Sequence, residues 1–148
     1  MSKAFVNEDA PVPETDLQRR ELVDPAQNYM TPQGLANLQK EISQLNPSDS
    51  RYAPLDKLIK TAKVIVPEKQ FSDRIIFGAT IQVRGASDEI KTYKLVGANE
   101  SDISAGKISF LSPLGKALLQ ARVGDLVTLR SPRGEEELEI MSIEFKPI

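Results

Sequence analysis

At 148 residues, 40% of them hydrophobic and 27% charged, the chain is sized for one ordinary domain or two small ones around a modest core. A net charge of −2 argues against general adhesion to nucleic acid through a basic surface. Cysteine and histidine are both absent, which excludes disulfide frameworks, thiolate chemistry, Cys-ligated zinc, Ser-His-Asp triads and Cys-His dyads.

Residues 1–28 read as a flexible acidic leader. Pro11, Pro13 and Pro25 interrupt it, and Glu8, Asp9, Glu14, Asp16, Glu21 and Asp24 outnumber Lys3, Arg19 and Arg20. The leader is either a solvated segment or an acidic arm for a basic partner surface. Its opening, Met1-Ser2-Lys3-Ala4-Phe5, lacks the apolar stretch of a signal peptide. No apolar run approaches the ~18 residues of a membrane span. The expectation is a cytoplasmic protein without membrane contact.

Order is expected from Tyr29. Thr31 suits a helix N-cap and Pro32 the first helical position, with Met30 and Leu35 spaced as a hydrophobic staple. Leu35, Leu38, Ile42 and Leu45 then form one apolar seam, stopped at Asn46-Pro47. A second helical pattern covers about residues 53–63, with Leu55, Leu58, Ile59 and Ala62 on one side. The pair predicts a short antiparallel α-hairpin over residues 29–66.

The period then changes from helical to alternating. Strands are predicted over residues 75–84, 90–96 and 107–111, with a polar loop at 97–106. Ser112 and Pro113 open a short helix through Leu119, and Val123-Gly124-Asp125 turns the chain. Residues 126–131 and 137–145 make a hairpin around Pro132-Arg133-Gly134. The fold class is α+β: the hairpin, then an antiparallel sheet domain over 67–148 with one short helix.

Several strings in this order resemble the GreA/GreB family of bacterial transcription elongation factors. Met30-Thr31-Pro32-Gln33-Gly34 is similar to the family's helix-opening Met-Thr-Pro-x-Gly, and Phe77-Gly78-Ala79-Thr80 to the entry of its C-terminal domain. Tyr93-Lys94-Leu95-Val96-Gly97 with Glu100-Ser101-Asp102 resembles its second strand and acidic loop. Lys107 to Pro113 followed by Lys116-Ala117-Leu118-Leu119 resembles the Ile-Ser-x-x-Ser-Pro-x-x-x-Ala-Leu signature, and Val123-Gly124-Asp125 and Pro132-x-Gly134 complete the series.

The resemblance implies an FKBP-like C-terminal domain that clasps the rim of the RNA polymerase secondary channel, and a helical hairpin pointing into it. By the motif, Ser112 and Pro113 sit at the contact with the β′ coiled coil, flanked by Asp102, Leu111 and Lys116. Ser112 can equally serve as a helix cap, and the two roles are compatible. Nucleic acid is then met only indirectly, through the polymerase.

Transcript cleavage in the family needs two nearby carboxylates at the hairpin tip, in a motif resembling Asp-Leu-Ser-Glu-Asn, because a second Mg²⁺ must be held and a water activated. This chain has no such motif, and a helix over residues 31–46 would extend only about 24 Å. The tip carries one acid, Asp49. The expectation is a short-arm, Rnk-like member that binds polymerase without catalysis, metal or cofactor. The alternative is an active cleavage factor of GreA/GreB type, with Glu41 and Asp56 as further acids on the helix flanks. A prolyl isomerase suggested by fold analogy, or a regulator with an unrelated protein partner, are the remaining readings.

Overall fold

The structure, a computed structural model, describes residues 27–148. The acidic leader therefore lies outside the described residues except for its last two. Of these, Asn28 belongs to the folded protein: it is buried, and its Nδ2 donates to the Leu58 carbonyl (2.8 Å) and to Thr61 Oγ1 (3.0 Å).

A two-residue strand β1 (Tyr29–Met30) leads into helix α1 (Pro32–Ser43), and helix α2 (Tyr52–Thr61) leads out into β2 (Lys63–Val64). β1 and β2 pair in parallel, Tyr29 with Lys63 and Met30 with Val64, which closes the root of the two-helix unit. Thr31 caps α1 as expected, its Oγ1 accepting from Gly34 N (3.2 Å), and Pro32 occupies the first turn where no N–H is required. Met30, Leu38, Leu55 and Leu58 form a small buried core joined by Leu35, Ile42, Leu45, Ile59 and Ala62. These are the two predicted seams.

α1 ends at Ser43, short of Asn46. The last N–H groups there bond to the third residue back, Gln44 to Glu41 and Leu45 to Ile42, which tightens the turn. Asn46 Oδ1 then accepts from Ser48 N (3.0 Å) and Ser48 Oγ (2.9 Å), diverting the chain.

The second unit is a five-stranded sheet in the order β5-β4-β3-β7-β6: β3 (Thr80–Arg84), β4 (Ile90–Val96), β5 (Lys107–Ser109), β6 (Leu126–Ser131) and β7 (Gly134–Glu144). Three neighbouring pairs are antiparallel, but β4 and β5 run parallel, so the sheet is mixed. The loop 97–106, with single 3-10 turns at Ala98–Glu100 and Ile103–Ala105, carries the chain back so that β5 starts beside Lys94. A bulge between Gln82 and Val83 shifts the β3–β7 register.

β3 begins at Thr80, later than the alternation from Ile75 predicts. Gly78 sits at φ +89 and ends any straight strand there, while Ile75 bonds instead to the segment after the short helix: its N–H donates to Ala121 O (2.8 Å) and its carbonyl accepts from Gln120 N (2.8 Å). β7 begins at Gly134 rather than Glu137, because only Pro132 and Arg133 separate it from β6. Helix α3 (Pro113–Leu118) packs on the sheet through the fully buried Leu118. Ile75, Ile81, Val83, Leu95, Ile108, Leu138 and Ile140 fill the main core.

Tyr29 joins the two units. Its ring lies 5.9 Å from Phe77 and 5.7 Å from Phe110, and those two rings are edge-on at 5.3 Å. Such offset and edge-to-face pairs contribute beyond their buried area.

Candidate functional site

The Ser-Pro turn is built by the end of β5. Phe110 N donates to Val96 O (3.0 Å), which ends the pairing with β4, and Ser112 N folds back onto Ser109 O (3.0 Å). Ser112 Oγ donates to the same Ser109 carbonyl (2.7 Å) and accepts from Gly115 N (3.0 Å), so the hydroxyl both closes the turn and caps α3. Pro113 follows as the first helical residue and is exposed. The chain thus presents an exposed proline on a rigid base.

Lys116 is exposed one turn along α3. Leu111 is half-buried and packs against the main core, so most of its side chain is committed to folding. Asp102 comes from the preceding loop, where its N–H donates to Lys107 O (2.8 Å) and its carbonyl accepts from Lys107 N (2.9 Å), placing it at the start of the strand that leads to Ser112. Ser104 Oγ donates to Asp102 Oδ1 (2.6 Å), and this bond chiefly holds the Asp102 carboxyl below its ordinary value.

Asp49 sits apart from these residues, in the turn between α1 and α2. Arg51 encloses it: Nη2 to Oδ2 at 2.8 Å, Nε to Oδ1 at 3.1 Å and the backbone N to Oδ1 at 2.9 Å. The Arg51 side chain, and then its backbone N–H, pull the Asp49 carboxyl from 3.8 down to about 2. Asp56 pairs with Lys60 at 2.8 Å on the exposed side of α2. Among the described residues, no three Asp or Glu side chains gather as a metal site. Arg51, which is held protonated chiefly by Asp49, also feels the negative charge of Glu41 on α1.

A titration prediction arises here. Followed by carboxyl-carbon NMR, Asp49 should titrate near 2, and Arg51→Ala should return it toward 3.8. Because the folded value is depressed, the pair's contribution to the turn is complete above the unfolded value and disappears as pH falls through about 2. An Asp49 midpoint that ignores Arg51→Ala would refute the pairing.

Sequence reasoning passed over Glu100. Its Oε2 accepts from Thr31 N (2.9 Å) and Gly97 N (3.0 Å), and its Oε1 accepts a short hydrogen bond from Thr31 Oγ1. A Cβ on Gly34 would lie 2.6 Å from Glu100 Oε1, and one on Gly97 would overlap the Tyr29 carbonyl oxygen. No local signal pairs Glu100 with Thr31, which is 69 residues away in the chain.

With this geometry in view, comparison with known proteins is direct. Residues 69–145 match the family model described as "Transcription elongation factor, GreA/GreB, C-term". The chain is 43% identical over 98 residues to transcription elongation factor GreA of Anaeromyxobacter sp. (strain K), covering 66% of this chain and 59% of that protein. It is 41% identical over 98 residues to transcription elongation factor GreB of Neisseria meningitidis, covering 66% and 60%. For GreA of Mesorhizobium japonicum the figures are 38% over 107 residues, 72% and 67%. The chain matches about three-fifths of the length of the first two relatives. Among solved structures, a GreA/GreB factor from Nitrosomonas europaea aligns with a TM-score of 0.45 at 25% identity, over 79% of this chain and 97% of that one.

Proposed function

The chain belongs to the GreA/GreB transcription elongation factor family, and from that premise we propose that it is a non-catalytic regulator that docks on bacterial RNA polymerase at the secondary channel. In this reading residues 67–148 are the FKBP-like docking domain, and residues 29–66 are a short antiparallel helical hairpin of the Rnk-like kind. Ser112 and Pro113 meet the β′ coiled coil, with Asp102, Lys116 and the exposed part of Leu111 at the margin.

The observation that carries the non-catalytic half is the state of Asp49. A cleavage factor must keep at least two tip carboxylates available to a Mg²⁺ ion, which takes most of its ligands as oxygen. Here the single tip acid already has both oxygens bonded to Arg51. A 12-residue α1 also reaches only about 18 Å at 1.5 Å per residue. The rigid Ser112 cap supports the docking half: an exposed proline held by two hydrogen bonds through one hydroxyl costs little ordering on binding.

The experiment is a pull-down against core polymerase together with a cleavage assay on a stalled, backtracked complex. The protein should be captured, a full-length GreA should displace it, and the cleavage rate should stay at the factor-free level. Cleavage that accelerates with this protein and falls in Asp49→Ala would establish the active cleavage factor instead.

A further inference from the structure

We infer that Glu100 is a positioning residue: its carboxylate fixes the direction in which the two-helix unit leaves the sheet, so that this unit and the Ser112 cap meet a partner as one preset body. The inference rests on the docking reading above for its purpose, but its geometry is independent of it.

Three donors converge on one side chain. Two are the backbone N–H of Thr31 and the Thr31 hydroxyl, both at the root of α1, and the third is the N–H of Gly97 in Glu100's own turn. Charge-assisted bonds of this kind are stronger and more directional than neutral ones. α1 has no acid in its own first turn, so Glu100 supplies, from a distant part of the chain, the negative charge that a helix N-terminus favours. Thr31 Oγ1 is used twice, donating to Glu100 and accepting from Gly34 N, which ties the cap of α1 to the latch. Gly34 leaves the space for the Glu100 carboxylate, and Gly97 leaves the space for the Tyr29 carbonyl.

The latch is also adjacent to the docking turn. Gly97 follows Val96, whose carbonyl receives Phe110 N, and Ser112 lies two residues beyond Phe110. Phe110 in turn packs against Tyr29. The root of the helices and the root of the Ser-Pro cap therefore share the same end of β4 and β5. A glutamate in a surface loop with no such role would be solvated, whereas Glu100 is half-buried with both oxygens occupied.

The chain has no cysteine, so Ser50→Cys in the inter-helix turn and Thr128→Cys on the sheet, both exposed sites, can carry spin labels. Pulsed EPR on this background should give one narrow distance distribution. Glu100→Ala should at least double its width, and Glu100→Gln should recover most of the narrowness, because the amide keeps one oxygen for both N–H groups while losing the charge and the acceptor for the Thr31 hydroxyl. Gly34→Ala, which displaces the carboxylate without removing it, should broaden the distribution too and add nothing in the Glu100→Ala background. In competition with full-length GreA for core polymerase, Glu100→Ala should be weaker by about tenfold, from lost preorganisation, and Glu100→Gln should fall between it and the parent.

A distribution that stays narrow in Glu100→Ala, or additive effects of the two alanines, would overturn the inference. So would a broadened distribution with unchanged competition. Failure of the parent protein to bind polymerase would sink the docking reading alone, since the distance measurement still decides whether Glu100 sets the orientation.

Discussion

Gly97→Ala is expected to destabilise the protein by about 3 kcal/mol, at the upper end of what overpacking costs. The backbone at Gly97 is ordinary, φ −72 and ψ 163, so conformational freedom is not the reason for glycine here. The reason is proximity. A Cβ would overlap the Tyr29 carbonyl oxygen and lie 3.3 Å from the Tyr29 carbonyl carbon and 3.1 Å from Glu100 Oε2. Tyr29 has nowhere to retreat: Asn28 and Met30 on either side of it accept from Lys63 N and Ile65 N (both 2.9 Å), and its ring is wedged between Phe77 and Phe110. Relief would have to come from moving the two-helix unit away from the sheet, which also breaks the Glu100 bonds. In a unit of this size each kcal/mol is about 4–8 °C of melting temperature, so Tm should fall by about 12–24 °C. A loss below about 0.5 kcal/mol in urea unfolding, the range of neutral surface changes, would show that the two units are not packed as described.

That contact also marks the limit of what the sequence discloses. Elements with strong local signals were legible to within a few residues: the Thr31-Pro32 and Ser112-Pro113 caps, the apolar seams of Leu35, Leu38, Leu55 and Leu58, and the hairpin around Pro132 and Arg133. These are set by residues close in the chain, where capping chemistry and periodicity act directly. The misses are of another kind. The alternation from Ile75 looked like one long strand, but the chain changes partner on the way: Ile75 bonds to Gln120 and Ala121, whereas Gly78 and Ala79 bond to Leu95 of β4. The direction of β5 was equally hidden, since a loop long enough to return the chain can deliver a strand either way.

The candidate site divides along the same line. Ser112 as cap and Pro113 as first helical residue could be read from two adjacent letters. Glu100 could not, because its partners Thr31 and Gly97 are brought together only by the tertiary fold, 69 and 3 residues away. Asp102 was singled out in its place, as a flank of the Ser112-Pro113 contact that the family resemblance implies, and its carboxylate accepts locally from Ser104 Oγ. Asp49 was legible as a lone acid, but its capture by Arg51 depends on the geometry of the turn.

The Ser-Pro cap gives the second large effect. Gly115→Ala should cost about 3 kcal/mol and reduce capture by core polymerase by about tenfold or more, even at temperatures where the variant remains folded. Alanine normally improves a helix by roughly 1 kcal/mol over glycine, so propensity alone predicts the opposite sign. The surroundings reverse it. A Cβ on Gly115 would overlap the Ser109 carbonyl oxygen and stand 2.9 Å from Phe110 Cα, both backbone atoms of the strand end on which α3 rests. That Ser109 oxygen is also the acceptor for Ser112 N and Ser112 Oγ, so pushing the helix off opens the turn that presents Pro113. α3 is six residues long and Leu118 is its fully buried anchor, which leaves little to hold the cap once the turn has opened. Because the same displacement weakens folding and docking, the two losses should appear together in urea unfolding and in competition with full-length GreA. A variant that melts early yet binds polymerase like the parent would place the contact somewhere other than Ser112 and Pro113.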